Sequence, residues 1–439
     1  MATKNNNSKQ HITILGAGLA GLSASQRLTR SGYQVNVYEK NSHTGGHAAS
    51  HKVSGFTFDE GIHVSFTKRP DIQQLLAAGV GGKFFEYDAL PTNYWYGTWA
   101  NHPLQSNLYG LPVDVVEKCL IDFVKAREEN IYEIRTYADW CYHNLGKTFS
   151  EEFIFRYTKK YWTTEAYQMS ADWVSLRVFV PTLEEMIHGA LMINETNHHY
   201  ITQFRYPHQE GFSAYVNAVS AGQNVQFNRH LTEIDLKRRE LTFATGEKTY
   251  YEILVSSLPL PELISLVKDA PSPIKEAASK LSCTSLTLVN VGVKRNYSFP
   301  NAHWGYFYDD NIIFPRASFP HRLSPNNVPD GCGSVQVEIY HSKYRPLITK
   351  DVLNRAIEDM VSTGLLLKDD QIILTQERYI PYANIVFDAE RSANLAAVRQ
   401  YLNDQGILCC GRFGEWEYFW SDESILSGWR VAEYISHRQ

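Results

Sequence analysis

Residues 11–39 read HITILGAGLAGLSASQRLTRSGYQVNVYE. The β-branched run HITIL leads into Gly16, Gly18 and Gly21, spaced GxGxxG. A helical stretch follows and stops at Gly32, and a second strand-like run, QVNVYEK, carries Glu39 with Lys40 beside it. Gly16 permits a tight turn, Gly18 lets the backbone approach a pyrophosphate, and Gly21 lets the helix lie close on the strand. The helix N-terminus then stabilises the anion. Glu39 lies roughly 20 residues beyond the glycines, where a carboxylate accepts hydrogen bonds from a ribose. Strand, turn, helix, strand and acid in this order predict an α/β chain with a Rossmann-type dinucleotide domain.

The next segment, NSHTGGHAASHKVSGFTFDEGIHVSF, carries a second glycine pair at Gly45 and Gly46, then Asp59, Gly61 and His63. It resembles the GG motif of the flavoprotein group that includes amine oxidases, protoporphyrinogen oxidases and sugar-nucleotide mutases. The resemblance implies FAD, held non-covalently, with the second glycine pair running along its pyrophosphate and ribityl chain. NAD(P)H would act at most as a transient reductant.

Composition narrows the partners. Net charge is −5 with both signs interleaved, which gives no basic face for nucleic acid. No apolar run reaches the ~18 residues of a membrane helix, so no membrane insertion is expected. MATKNNNSKQ lacks a signal-peptide core and reads as a disordered tail over 1–10. Six cysteines without CxxC spacing make neither a disulfide scaffold nor a zinc site, and no metal is expected; they read as thiols of a cytoplasmic protein. A homo-oligomer is left open.

Outward from the glycines, amphipathic helical patterns cover 114–128, 136–145, 149–161 and 178–193. Alternating runs return at 224–257, ending in YEILVSSLPLP, and recur in LTLVNVGV, SVQVEIY and QIILTQE. GILCCGRFG reads as a last strand, followed by a closing helix from near Ser424. The FAD domain is therefore expected to be discontinuous, built from 11–65, 205–262 and 400–439. A helical substrate domain is expected at 66–204, and an antiparallel β-sheet substrate domain at 263–399.

The C-terminal stretch GRFGEWEYFWSDESILSGWRVAEYI is the most specific. Gly411, Arg412, Phe413, Gly414, Trp416 and Tyr418 resemble the GRFG-x-W-x-Y closing motif of UDP-galactopyranose mutases, the eukaryotic form above all. GTWANHPLQSNLYGLP, RYTKKYW, ADWVSLRV and FPRASFPHRLSPNNVPDG are similar to further segments of that family, in order along nearly the whole chain. The resemblance implies that Arg177 and Arg316 clamp a substrate diphosphate and that Tyr418 hydrogen-bonds it. A planar guanidinium suits that task because it bonds phosphate oxygens bidentately and never loses its charge. It also implies that Arg412 and His63 lie beside the flavin. Asp422, Glu423 and Ser424 then sit where the last helix points its N-terminus at the ring. Trp162, Tyr157 and Gln105 fall in the nucleotide pocket.

Three positions depart from the family. Asn384, in PYANIVFDAE, stands where the family has a tyrosine of a Tyr-Pro motif that contacts diphosphate. His102 and Leu104 stand where it has an aromatic pair before Gln105, which weakens uracil stacking and opens the choice of nucleobase. Glu417 replaces a basic residue. The resemblance implies a mutase that interconverts pyranose and furanose forms of a nucleoside-diphosphate sugar such as UDP-galactose, through a covalent adduct at N5 of reduced FAD. The alternative is an FAD-dependent oxidoreductase that takes a hydride from an amine, alcohol or carbon–carbon bond; the glycine motifs suit it equally, but the arginine pair does not.

Overall fold

In a computed structural model that describes residues 10–128, 133–174, 177–194, 198–295, 301–347 and 349–437, the strand His11–Leu15 is the middle of five. Their order is Ile407–Cys409, Ile253–Ser256, His11–Leu15, Gln34–Tyr38, Val225–Gln226, and every pairing is parallel. Helices cover such a sheet on both faces, so its strands bury side chains at consecutive positions. Ile12, Ile14, Val37 and Val255 are all fully buried. The tail expected at 1–10 lies, but for Gln10, outside the described residues.

The chain returns to this sheet after long excursions because its first and last helices need each other. Leu19–Arg30 packs against Ser421–His437, and a Cβ at Gly428 would fall 2.2 Å from the Ala20 carbonyl oxygen. The closing helix starts at Ser421 rather than near Ser424. Glu423 accepts a hydrogen bond from the Trp420 amide (2.8 Å), and the Ser424 hydroxyl donates to the Trp420 carbonyl (2.9 Å). Asp422, Glu423 and Ser424 therefore form the first turn instead of preceding it.

A second sheet of seven strands runs Ile372–Ile380, Ser285–Val293, Gly333–His341, Arg316–Ser318, Trp304–Phe307, Pro91–Trp95, Thr98–Asn101. It is antiparallel except where Trp304–Phe307 pairs parallel with Pro91–Trp95. Two of its strands thus come from the segment expected to be helical. The hairpin is local chemistry: PTNYW and TWAN are β-prone, and Tyr96 (φ 41°) and Gly97 (φ 87°) turn the chain between them. The rest of that segment supplies helices Val113–Glu128, Tyr137–Leu145, Arg156–Tyr161 and Leu183–Leu191. A π-helical turn, Ser150–Phe155, leads directly into Arg156–Tyr161. Trp162, Trp173 and Trp416 join the sheet residues Leu254 and Ile407 in one apolar core, so the segment after helix Arg156–Tyr161 and the edge of the dinucleotide sheet are a single packed body.

Candidate active site

Two glycine motifs make one surface. Gly16 (φ +95°) gives its amide to Tyr38 (2.8 Å), and a Cβ there would lie 2.4 Å from the Ser257 hydroxyl. Gly45 (φ +114°) gives its amide to Ala17 (2.9 Å), and a Cβ on Gly46 would come within 3.3 Å of Gly18 Cα. The helix beginning at Leu19 has Gly18 at its N-cap and no side chain bonded to its first amides. Those amides are ready donors for an anion. Glu39 is buried beside them and accepts from the amides of Ala17 and Asn41, both at 2.9 Å. Next to it a cleft is lined by Arg229, His230, Leu231 and Leu258, with Lys40 at its edge 3.7 Å from Glu262. The glycine cradle, the open helix end and the acid fit a dinucleotide.

Two residues of this groove escape a reading of motifs. Arg229 gives its amide to the Glu39 carbonyl (2.8 Å) but sits in no recognisable pattern. His47, between Gly46 and Ala48, packs on Phe413 (5.0 Å) and donates Nε2–H to the Tyr382 carbonyl (2.5 Å). The glycine pair beside it was the only available signal. His63 is held by its own turn, Nδ1 lying 3.0 Å from the Gly61 carbonyl with the ring on Phe212 (5.4 Å). Gly411 (φ +82°) gives its amide to Ser427 (2.7 Å) and brings the closing motif onto Ala20.

Above the groove three guanidinium groups gather on two tyrosines. The Tyr161 and Tyr418 hydroxyls are 3.4 Å apart. Arg412 lies over the Tyr418 ring (4.7 Å) and donates to Asn384 Oδ1 (2.8 Å) and the Phe419 carbonyl (3.2 Å). Arg177 lies over Tyr418 (4.9 Å) and Trp420 (4.8 Å) and donates to the Tyr418 carbonyl (2.9 Å). Its buried Nε finds no partner. Arg316 lies over Tyr161 (5.6 Å) and forms a fork with Glu338 at 2.6 and 2.8 Å. Among the described residues, Arg177 and Arg412 pair with no carboxylate. Tyr157 stacks on Tyr161 (5.3 Å), and Trp162 lies 5.3 Å from Tyr418. Burial pushes the hydroxyls of Tyr157 and Tyr418 upward, so both stay neutral donors. Gln105 is a step away, its amide donating to the Phe179 carbonyl (3.1 Å), two residues from Arg177.

The departures noted in the sequence acquire partners. Glu417 is ion-paired to Arg391 (2.8 Å) and Arg399 (3.0 Å) on helix Arg391–Asp404, so the sign change is compensated from the neighbouring helix. His102 packs at 4.7 Å from both Tyr306 and His199 and bonds Asn93, while Leu104 is buried in the core. Asn384 replaces a tyrosine yet still bonds within the cluster, through Arg412.

With this geometry in view, the chain matches the model of the flavin-containing amine oxidoreductases over residues 19–436. It belongs to that family. Membership implies FAD in the groove. The solved structure of reduced UDP-galactopyranose mutase superposes with a TM-score of 0.92 at 26% identity, covering 98% of this chain and 96% of that one. The chain thus shares its fold with that mutase. A fatty acid isomerase from P. acnes shares the fold at a TM-score of 0.67 and 15% identity, over 98% and 99% of the two chains. A 4,4'-diaponeurosporene oxygenase from Staphylococcus aureus is 48% identical over 52 residues, 12% of this chain. The match spans only 10% of that oxygenase's length. Among the described residues no helix is long and apolar enough to cross a membrane, and no His/Cys/Asp/Glu group could hold a metal ion.

The buried His199 and His303 and the half-buried His47 carry a pH consequence. Burial lowers His47, His199 and His303 each to about 4. Unfolded, they titrate near 6.5. Their neutral forms are the folded forms, so their contribution is intact above about pH 6.5 and is lost as pH falls toward 4, on the order of 1–2 kcal/mol each at pH 5. The midpoint of thermal unfolding is expected to drop by several degrees between pH 7.5 and pH 5, and His199→Gln to flatten that drop. Calorimetry at both pH values checks this; equal midpoints would refute it.

Proposed function

We propose that the chain is an FAD-dependent sugar-nucleotide mutase that interconverts pyranose and furanose forms of a nucleoside-diphosphate sugar of the UDP-galactose kind. The observation that carries the reading is the charge balance of the upper cluster: Arg177, Arg316 and Arg412 around Tyr161 and Tyr418, with Glu338 the one carboxylate paired to them among the described residues. Two uncompensated guanidinium charges over the ring of Tyr418 suit a diphosphate and have no use for an apolar amine.

When bound, the reduced flavin supplies the nucleophile, N5, for the anomeric carbon of the sugar. The chain's own part is to hold what leaves. Arg177, Arg316 and the Tyr418 hydroxyl grip the diphosphate so that it stays in place between departure and return. Trp162, Tyr157 and Gln105 line the nucleotide side, and Asn384 orients Arg412 toward the cluster. His63 and the helix end at Asp422, Glu423 and Ser424 would face the flavin, and Gly16, Gly18, Gly21, Gly45, Gly46, Gly61 and Gly411 would hold it non-covalently, with Glu39 and Lys40 serving its ribose. NAD(P)H would serve only to reduce the flavin beforehand.

Anaerobic mixing with UDP-galactose discriminates this reading from an oxidase. A mutase shifts the flavin's visible spectrum on binding but leaves the ring oxidised. Bleaching by the sugar nucleotide, or by an amine at a catalytic rate, would establish hydride transfer instead.

A further inference from the structure

Arg316 is the cluster's only arginine that already has an anion. Glu338 is 1% exposed and meets it with both oxygens. The same carboxylate accepts from the Tyr340 hydroxyl (2.6 Å) and the Ile62 amide (3.2 Å). A Cβ on Gly61 would lie 3.3 Å from its Oε1. Glu338 and Arg316 are cross-strand partners in the seven-stranded sheet, so the pairing is fixed by register, not by a rotamer choice. A carboxylate taken out of water is costly, and the pair it forms is seldom the most stable filling of that space. Its place between the turn that carries His63 and the cluster that receives the diphosphate calls for a functional account.

We propose that Glu338 is a resident counter-ion for the substrate diphosphate: it neutralises Arg316 in the free enzyme, competes with the incoming diphosphate for the same guanidinium, and so sets affinity and product release. The inference rests on the mutase reading above. Glu338 acts through Arg316 and is a positioning residue. With the carboxylate in place the diphosphate gains Arg177 fully and Arg316 only in part. With an amide in its place the cluster holds a third uncompensated positive charge, and a diphosphate is the natural anion to cover it.

The test is UDP binding to flavin-loaded protein, followed by calorimetry. Glu338→Gln removes the charge and keeps one acceptor oxygen, for Tyr340 or for Ile62, while its amide nitrogen turns the other position into a donor. It is expected to bind UDP about tenfold more tightly and to turn over more slowly, with KM and kcat falling together. A part in structure alone would give the opposite, weaker binding. Arg316→Gln leaves the carboxylate facing the diphosphate and is expected to weaken UDP binding by at least tenfold. The double variant Arg316→Gln/Glu338→Gln, which replaces the ion pair by two amides and stays falsifiable if the single variant does not fold, is expected to recover most of that loss. Unchanged or weaker binding in Glu338→Gln, or no recovery in the double variant, overturns the proposal while leaving the mutase reading intact. Absence of UDP binding to the wild type overturns both.

Discussion

Arg177→Ala is expected to lower kcat/KM for UDP-galactose about 30- to 1000-fold while leaving flavin content unchanged. A guanidinium has five N–H donors. Arg177 gives its bonds to the carbonyls of Trp173 (3.2 Å) and Tyr418 (2.9 Å), and its Nε is buried without a partner. It is therefore a charge held in place by neutral acceptors, with donor capacity to spare, on the face of Tyr418. Truncating one partner of a buried, hydrogen-bonded charge pair costs about 2–5 kcal/mol. On the proposed mutase reading the diphosphate is held after it leaves the sugar, so part of that loss should appear in kcat and not only in KM. Arg177→Lys keeps the charge without the fork and should fall between. A change in kcat/KM of less than about threefold would remove Arg177 from the site.

The second large effect separates two glycines of one motif. A Cβ on Gly21 would lie 2.1 Å from the Gly16 carbonyl oxygen and 3.3 Å from Ile14. The first helix would have to lift off its strand, at about 1–3 kcal/mol or more of overpacking, and the turn would deform with it. Gly21→Ala should purify nearly colourless and melt early. Gly18 differs: a Cβ there meets nothing closer than the Gly45 carbonyl oxygen at 3.9 Å, and its φ of −78° suits any residue. Gly18→Ala should therefore melt like the wild-type apoprotein and yet lose most of its FAD, since the methyl group occupies the approach of the pyrophosphate. Flavin absorbance per protein and a melting curve read both outcomes. Full flavin content in Gly18→Ala would contradict the cradle.

Much of this was legible because the signals are local. The run from Ile12 to Glu39 spells its turn, helix and strands in order, and the closing motif keeps its glycines and aromatics at fixed spacing. What stayed hidden depends on the sheet's surroundings. In GSVQVEIYH the alternation predicts a strand of an antiparallel sheet but does not tell what covers the face of Gln336 and Glu338. In the structure eight of its nine residues are buried, with the segment from Asp59 to Ile62 and Tyr161 lying against the second face. That is why Glu338, the ion partner of Arg316, could not be picked out. Lys160, one of two adjacent lysines, is fully buried and donates to the carbonyls of Phe307 (2.9 Å) and Asp309 (3.0 Å). It pins the helix bearing Tyr157 and Tyr161 to the strand bearing Tyr306. Glu417 pairs with Arg391 and Arg399, 26 and 18 residues before it, so a charge that looks like a departure is only explained once the neighbouring helix is in place.

The most direct measurement incubates the purified, flavin-bound protein with UDP-galactofuranose, oxidised in one arm and dithionite-reduced in the other, and resolves the products by chromatography. The mutase reading predicts UDP-galactopyranose in the reduced arm alone, with the flavin still reduced at the end. Equal conversion in the oxidised arm would contradict it, as would no conversion in either arm combined with a flavin spectrum that nucleotide sugars leave unmoved.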